Sequence, residues 1–389
     1  MSNLNLYENM LSNNVKNIEI SGIRKFFNKV SKYEDVVSLT IGQPDFNVPE
    51  KIKESMIDSI NQNKTTYTSN AGIEELRLEI SKYLKEMKID YSKEDICITV
   101  GGSEGLMSVF TAIINEGDKV LIPTPAYPAY ESIVKLLGGE IINYPLNSDF
   151  SIDFEKLKEL IKNQKPKVMV VSYPSNPTGA VLTKEQNDKL HDILKDEKTI
   201  IISDEMYSSI CFEKEYNSIC QYKDIKDKTI LVGGFSKMFC MTGLRVGFVC
   251  AKPSFMSSIM KVHQYNVSCA PSIAQWGAAE GLKSCMDDVE FMKDKFKERG
   301  EYVYSRLKKL GFEVYKPKGA FYIFPSIKKY SENSEEFSER LLKEAKVAVV
   351  PGSAFGDGGE GYIRISYAYS MDQLKKALDR MEEWLKSEF

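Results

Sequence analysis

Histidine is nearly missing from this chain: 389 residues contain two, His191 and His263. Both are isolated, so they read as helix-surface or packed side chains, and a metal-dependent hydrolase is disfavoured. Cysteine is sparse. The seven residues, at 97, 211, 220, 240, 250, 269 and 285, are odd in number and never in CxxC spacing. That pattern argues against a disulfide framework or a zinc site and favours a reducing, cytoplasmic setting. No apolar run approaches membrane-spanning length. Residues 1–16 are polar and lack the basic start and apolar core of a signal peptide. Charge of one sign is also lacking: 52 basic against 55 acidic residues leave a net charge of -3. This gives no electrostatic reason to expect nucleic acid or an anionic membrane as partner. Internal repeats, low-complexity segments and long linkers are absent too.

What is present describes a globular α/β protein, with 42% apolar and 28% charged residues. A chain of this length exceeds what one core usually holds, so two domains are expected. Residues 36–41 read as extended, and Gly42-Gln43-Pro44-Asp45 with Pro49 breaks the chain before a helix near Glu50. From there to about residue 280, strands alternate with helical patterns, the mark of a large, doubly wound, mostly parallel sheet. The end of the chain, residues 281–389, reads as a smaller α+β domain. A long charged helix over residues 291–310 is followed by short strands at 312–315, 321–324 and 362–366.

Four runs that read as buried parallel strands, residues 96–100, 168–173, 199–202 and 229–232, each end in polar residues. After them come Gly101-Gly102-Ser103, then Ser175-Asn176-Pro177, then Asp204-Glu205-Met206-Tyr207. The last is followed by Ser236-Lys237 and Thr242-Gly243-Leu244-Arg245. In an open parallel sheet the carboxyl ends of the strands form the ligand crevice. A lysine, an aspartate, a tyrosine, an asparagine, a phosphate cradle and an arginine would meet there, which is the inventory of a pyridoxal phosphate enzyme. Each residue alone has a plainer reading. Lys237 could be a surface lysine and Asp204 a helix N-cap. Tyr207 could be a packing ring, and Asn176 could serve the turn beside Pro177. The Gly-Gly loop could be only a tight turn, Tyr127 only a loop anchor, and Arg364 half of an internal salt bridge.

From about residue 18 to the C-terminus the chain resembles the class I/II aminotransferases, the fold-type I family of pyridoxal phosphate enzymes. The motifs occur in the family's order and at its spacings. Three stretches are similar to the N-acetyl-LL-diaminopimelate aminotransferase subgroup: Glu19-Ile20-Ser21-Gly22-Ile23-Arg24-Lys25-Phe26, Tyr173-Pro174-Ser175-Asn176-Pro177-Thr178-Gly179, and residues 261–270.

The resemblance implies that Lys237 supplies the amine that condenses with the cofactor aldehyde and acts as general base. It implies that Asp204 pairs with the pyridine nitrogen, that Tyr207 and Asn176 reach the phenolic oxygen, and that Tyr127 stacks on the ring. Gly102, Ser103 and Glu104 at a helix N-terminus, with Ser236 and Arg245, would bind phosphate. Relatives often carry a phosphate-binding serine three residues before the lysine, where this chain has Gly234. Tyr67 would reach the phosphate of a neighbouring subunit, making a homodimer with shared sites. Arg364, with the backbone at Gly42, would hold the substrate carboxylate; Tyr127 and Asn176 also belong to the substrate set. Residues 1–45 would form an arm that packs with the small domain, leaving 46–280 as the cofactor-binding domain.

The implied reaction is ping-pong transfer of an amino group between an L-amino acid and a 2-oxo acid, with glutamate and 2-oxoglutarate as the exchanging pair. N-acetyl-LL-diaminopimelate, in lysine biosynthesis, is the first donor to consider. Aspartate, aromatic or broad specificity remains open, as does a carbon–sulfur lyase on the same fold. Residues 265–275 contain no arginine to receive a distal carboxylate in the manner of animal aspartate enzymes. Arg24 could contact the far end of a substrate or simply face solvent.

Overall fold

The computed structural model describes residues 10–388. Residues 1–9, the start of the expected arm, and Phe389 lie outside the described residues. After a short strand β1 (Val37–Ser38), seven strands build the main sheet. They are β2 (Ile96–Thr99), β3 (Lys119–Thr124), β4 (Glu140–Pro145), β5 (Val168–Ser172), β6 (Ile200–Asp204), β7 (Thr229–Gly234) and β8 (Gly247–Cys250), in the order β2-β8-β7-β6-β5-β3-β4.

Side chains alternate between two cores. Val168, Val170, Ile202, Ile230 and Val232 pack on one face. Met169, Val171, Ile201 and Leu231 pack on the other. Both faces are covered, which is why these strands carry unbroken apolar runs. Each such side chain contributes about 1.5–3 kcal/mol on burial.

Strands β3 to β7 run parallel. The reading of residues 96–100 as a parallel strand needs correction, because β2 pairs only with β8 and does so antiparallel. Strand β8 is also antiparallel to β7. Two reversals cancel, so β2 still points the same way as the parallel set. The ends of β2, β3, β5, β6 and β7 therefore open on one edge, and the start of β8 opens there as well.

At that edge the backbones are in contact. A Cβ on Gly247 would lie 2.6 Å from Gly101 C and 2.7 Å from Gly102 N. Only glycine lets β8 approach the turn where β2 enters its helix, Gly101–Ile113, and Gly101 itself takes φ +70°, a conformation that costs other residues.

The remaining strands lie beside this edge. Strand β9 (Tyr322–Ile323) joins β11 (Val350–Pro351) and β12 (Ile363–Ser366) in an antiparallel sheet of order β11-β12-β9, while β1 pairs parallel with β10 (Val347–Ala348). The long charged helix runs Met286–Lys309 and so starts earlier than expected. Asp287 and Asp288 occupy its first turn and Arg306, Lys308 and Lys309 its last, matching the helix dipole at both ends. Residues 312–315 form no strand, only a bridge between Glu313 and Ser326. The N–H groups of Gly311 and Phe312 instead satisfy the carbonyls of Lys308 and Leu307, so this backbone caps the preceding helix and is withdrawn from a ladder.

One core cluster runs from Leu39 through Met169 and Phe296 to Ile365 and Leu385, so packing is continuous across residue 280. Among the described residues no helix is long and apolar enough to cross a membrane.

Gly247→Ala is expected to destabilise the protein by about 1–3 kcal/mol, the usual cost of overpacking. A urea titration checks this, and an unchanged midpoint would mean the strand and turn can separate freely.

Candidate active site

A cavity of about 260 Å³ sits at the carboxyl edge of the sheet. Every residue assigned a catalytic, cofactor or substrate role from the sequence lines it except Glu104 and Tyr67; Arg24, left open there, does not line it either. Strand order reverses between β3 and β5, and Tyr127 after β3 faces Asn176 after β5 across that point, where open sheets bind ligands.

Lys237 lies on a single helical turn, Phe235–Met238, directly after β7. Its Nζ donates to the carbonyl of Gly42. Burial, then the positive charges of Arg364 and Arg245, push its pKa down to about 8. A substantial fraction of this amine is therefore neutral near physiological pH, the form that attacks a carbonyl.

Asp204 ends β6 and is 8% exposed. It accepts from the Tyr130 hydroxyl at 2.6 Å and from the Met206 N–H at 3.1 Å. Burial nevertheless pushes its carboxyl upward, so a cation brought to it would be strongly held.

Arg364, on β12, is 2% exposed. Its Nη1 donates to Asn176 Oδ1 at 2.9 Å and its Nη2 to the Thr40 carbonyl at 2.5 Å, while Nε has no partner. Among the described residues no carboxylate pairs with it, which removes the internal salt bridge as its explanation. Its guanidinium stacks 4.5 Å from the Tyr322 ring centre and 5.0 Å from that of Phe355. A buried guanidinium held by neutral groups is poised for an anion from outside the chain.

Arg245 stands two residues before β8, with φ +54°. Its Nη1 donates to the Thr242 carbonyl at 2.8 Å. A Cβ on Gly101 would lie 2.5 Å from its Nη2, so the guanidinium rests on the glycine turn. Beside it, Gly102 and the exposed Ser103 begin the helix and present backbone N–H groups to the cavity. Arginine and helix N-terminus together make an anion cradle. At Gly234 a Cβ would stand 3.0 Å from Met206 Cε and 3.2 Å from Gly247 Cα, so Met206 crowds the place of the family's serine. Ser236 remains on the lining.

Glu104 turns its side chain away from the cavity. It accepts from the Val100 N–H at 3.1 Å, from the Ser108 hydroxyl, and meets His263 Nδ1 at 3.1 Å. Burial alone would raise its pKa, but hydrogen bonds from His263, Ser108 and Val100 outweigh it and the carboxyl is lowered. Its side chain braces the helix start, which leaves only its backbone N–H for any anion there. His263 is fully buried in this pair, and His191 stacks on Tyr222 and meets Asp224 at 2.7 Å. Tyr67 is 88% exposed. It projects from a stretch tied down by Gln275 to Thr68 and by Asn70 to the Ser268 carbonyl. Arg24 is exposed, whereas its neighbour Ile23 lines the cavity.

Six lining residues were given no site role from the sequence: Ile23, Leu106, Tyr130, Ser172, Met206 and Tyr322. Tyr130 holds Asp204, and Ser172 lies 3.0 Å from the Tyr130 hydroxyl. Its signal was faint: a second tyrosine three positions after Tyr127, at the start of the helix Ala129–Leu136. Met206 fills the space beside Gly234. Tyr322 meets Tyr207 hydroxyl to hydroxyl at 2.7 Å, but it stands in a run of aromatic residues that reads simply as core.

Comparison with known proteins agrees with this geometry. Residues 34–381 match the family model for aminotransferase class I and II. The chain is 44% identical to a probable N-acetyl-LL-diaminopimelate aminotransferase of Bacillus subtilis, covering 96% of this chain and 95% of that one. It is 39% identical to an aspartate aminotransferase of Pyrococcus abyssi, covering 97% and 98%. The crystal structure of an aromatic aminotransferase from Pyrococcus horikoshii superposes with a TM-score of 0.88 at 38% identity, covering 93% and 99%. The chain belongs to the class I and II aminotransferases, enzymes that work with pyridoxal phosphate.

Proposed function

We propose that this cavity transfers the amino group of an acylated diaminopimelate to 2-oxoglutarate, with Lys237 as the reacting amine. The observation that carries the site reading is that Lys237, Arg245, Arg364 and the buried carboxylate of Asp204 line one cavity, where burial and the two guanidinium groups lower the basicity of the lysine. The residues present fit pyridoxal phosphate. Asp204 lacks a cation, the Arg364 Nε lacks a partner, and the turn at Gly101 with Arg245 lacks an anion. When bound, the cofactor supplies an aldehyde for the amine and an electron-accepting ring.

The chain's own residues do the rest. Arg245 and the N–H groups of Gly102, Ser103 and Glu104 hold phosphate, and Asp204 keeps the pyridine nitrogen protonated. Tyr207 and Asn176 donate to the phenolic oxygen, and Tyr127 covers the ring. Arg364 clamps the α-carboxylate of the amino donor, fixing the Cα–H beside Lys237. The neutral amine then takes up that proton.

Three considerations favour an acyl-diaminopimelate donor. The Bacillus subtilis relative has the highest identity of those compared above. The cavity lining holds no arginine other than Arg245 and Arg364, which counts against a strict aspartate preference of the animal type. Ile23 lines the cavity and Arg24 does not. An aspartate or aromatic donor is the second reading, on the strength of the Pyrococcus relatives.

The working unit is a homodimer in which the exposed Tyr67 reaches the phosphate in the partner subunit. Tyr67→Phe should then weaken cofactor retention about tenfold, the worth of one hydrogen bond to a charged group, in a protein that sediments as a dimer. A monomer that turns over at full rate would refute the shared site.

Lys237→Met should lower turnover by at least about 10²- to 10⁴-fold. It should also stabilise the cofactor-free protein at neutral pH. The native lysine, with a folded pKa near 8 against 10.5 unfolded, is protonated in the unfolded chain but not in the folded one between those values. Its stability deficit is therefore full below pH 8 and shrinks as pH rises towards 10.5. Urea midpoints of the two proteins should converge from pH 7 to pH 10; parallel curves would contradict the desolvated amine.

A donor panel with 2-oxoglutarate, read as glutamate formed, tests the substrate. N-acetyl-LL-diaminopimelate should be turned over faster than aspartate or phenylalanine; no glutamate from it would discard the first reading, and no glutamate from any donor would favour a lyase.

A further inference from the structure

Tyr207 and Tyr322 each have one hydrogen-bond partner among the described residues, and it is the other, at 2.7 Å. Two hydroxyls carry two protons, and one bond between them uses one. The second proton must point elsewhere, and both side chains line the cavity. The pair also bridges two parts of the fold, since Tyr207 follows β6 in the main sheet and Tyr322 opens β9 beside it.

Tyr322 is held firmly. It is 1% exposed, its ring lies under the Arg364 guanidinium at 4.5 Å, and a Cβ on Gly42 would come within 2.0 Å of its hydroxyl oxygen. Phe321 packs edge-on against Tyr207 at 5.4 Å, fixing the second ring. The nearby guanidinium draws electron density from the Tyr322 phenol, which makes it the stronger donor of the two.

We propose that Tyr322 is a positioning residue for the transamination site: it donates its hydroxyl proton to Tyr207, so that the Tyr207 O–H is turned outward to a cofactor oxygen, while its ring steadies Arg364. The inference rests on the site reading above and adds a residue to it. A hydroxyl that accepts one hydrogen bond donates a stronger one, so the relay from Tyr322 through Tyr207 favours the anionic form of the phenolic oxygen. The same side chain serves the carboxylate clamp through its face. One residue thereby links the electronic setting of the cofactor to the grip on the substrate.

The test is a pH titration of the visible absorbance of the bound cofactor in native protein, Tyr322→Phe, Tyr207→Phe and the double variant. Tyr322→Phe keeps the ring under Arg364 and removes only the hydroxyl. The titration midpoint should move upward in Tyr322→Phe, corresponding to an increase in proton affinity of about two- to fivefold. It should move further in Tyr207→Phe, and the double variant should match Tyr207→Phe. Tyr322→Leu should reproduce the spectral shift of Tyr322→Phe and in addition raise KM for the amino donor. Circular dichroism melting of each variant identifies any that fail to fold, and the Phe variants carry the test if Tyr322→Leu does not. An unmoved midpoint in Tyr322→Phe, or an equal shift whether or not Tyr207 is present, would overturn the relay. If native protein takes up no cofactor, the site reading itself fails, an outcome distinct from a relay failure in a coloured enzyme.

Discussion

Uncompensated positive charge around one cavity, half-buried at Lys237 and Arg245 and fully buried at Arg364, is the constraint on which this molecule depends. Lys237, Arg245 and Arg364 converge on one cavity, and the only carboxylate on its lining is Asp204. Burying cations without counter-ions is expensive, and the fold carries that cost with neutral acceptors: the carbonyls of Gly42, Thr40 and Thr242 and the amide of Asn176. On the proposed reading the guests make up that deficit of negative charge, a phosphate beside Arg245 and a carboxylate beside Arg364. Substrate and cofactor complete an electrostatic arrangement that the polypeptide leaves open.

Holding such a site open requires rigid surroundings. The sheet supplies them through strands buried on both faces, and the glycine turn at Gly101 is wedged against Gly247 and Arg245. The braces differ in kind. Glu104 gives up its side chain to the helix start and to His263, and Tyr130 gives its hydroxyl to Asp204. Neither brace needs to touch a reactant to matter, because each fixes a group that does.

Much of this was legible in the sequence, for a physical reason. Doubly buried strands must be apolar throughout, so the polar residues that end them stand out, and Asp204, Asn176 and Lys237 were found that way. Tertiary pairing left no such trace. Nothing local distinguishes β2, bonded only to an antiparallel neighbour, from a parallel strand. Residues 312–315 have strand composition, yet the adjoining backbone is claimed by the end of a helix. Tyr322 was hidden because a tyrosine among Phe321 and Phe324 looks like packing, and its hydroxyl gains a role only when Tyr207 arrives from over a hundred positions away. Glu104 sits in a motif whose backbone matters, and the sequence does not say that its carboxylate faces elsewhere.

The pairing of β1 with β10 joins Val37 to Val347, and this has a bearing on the order of events during biosynthesis. A ribosome must deliver nearly the whole chain before the first strand finds its mate. Arg364 comes later still. The residues of the central sheet and Lys237 thus emerge well before Arg364 is made, and on the proposed reading a truncated product ending short of that arginine would keep the amine yet lack the group that orients its substrate.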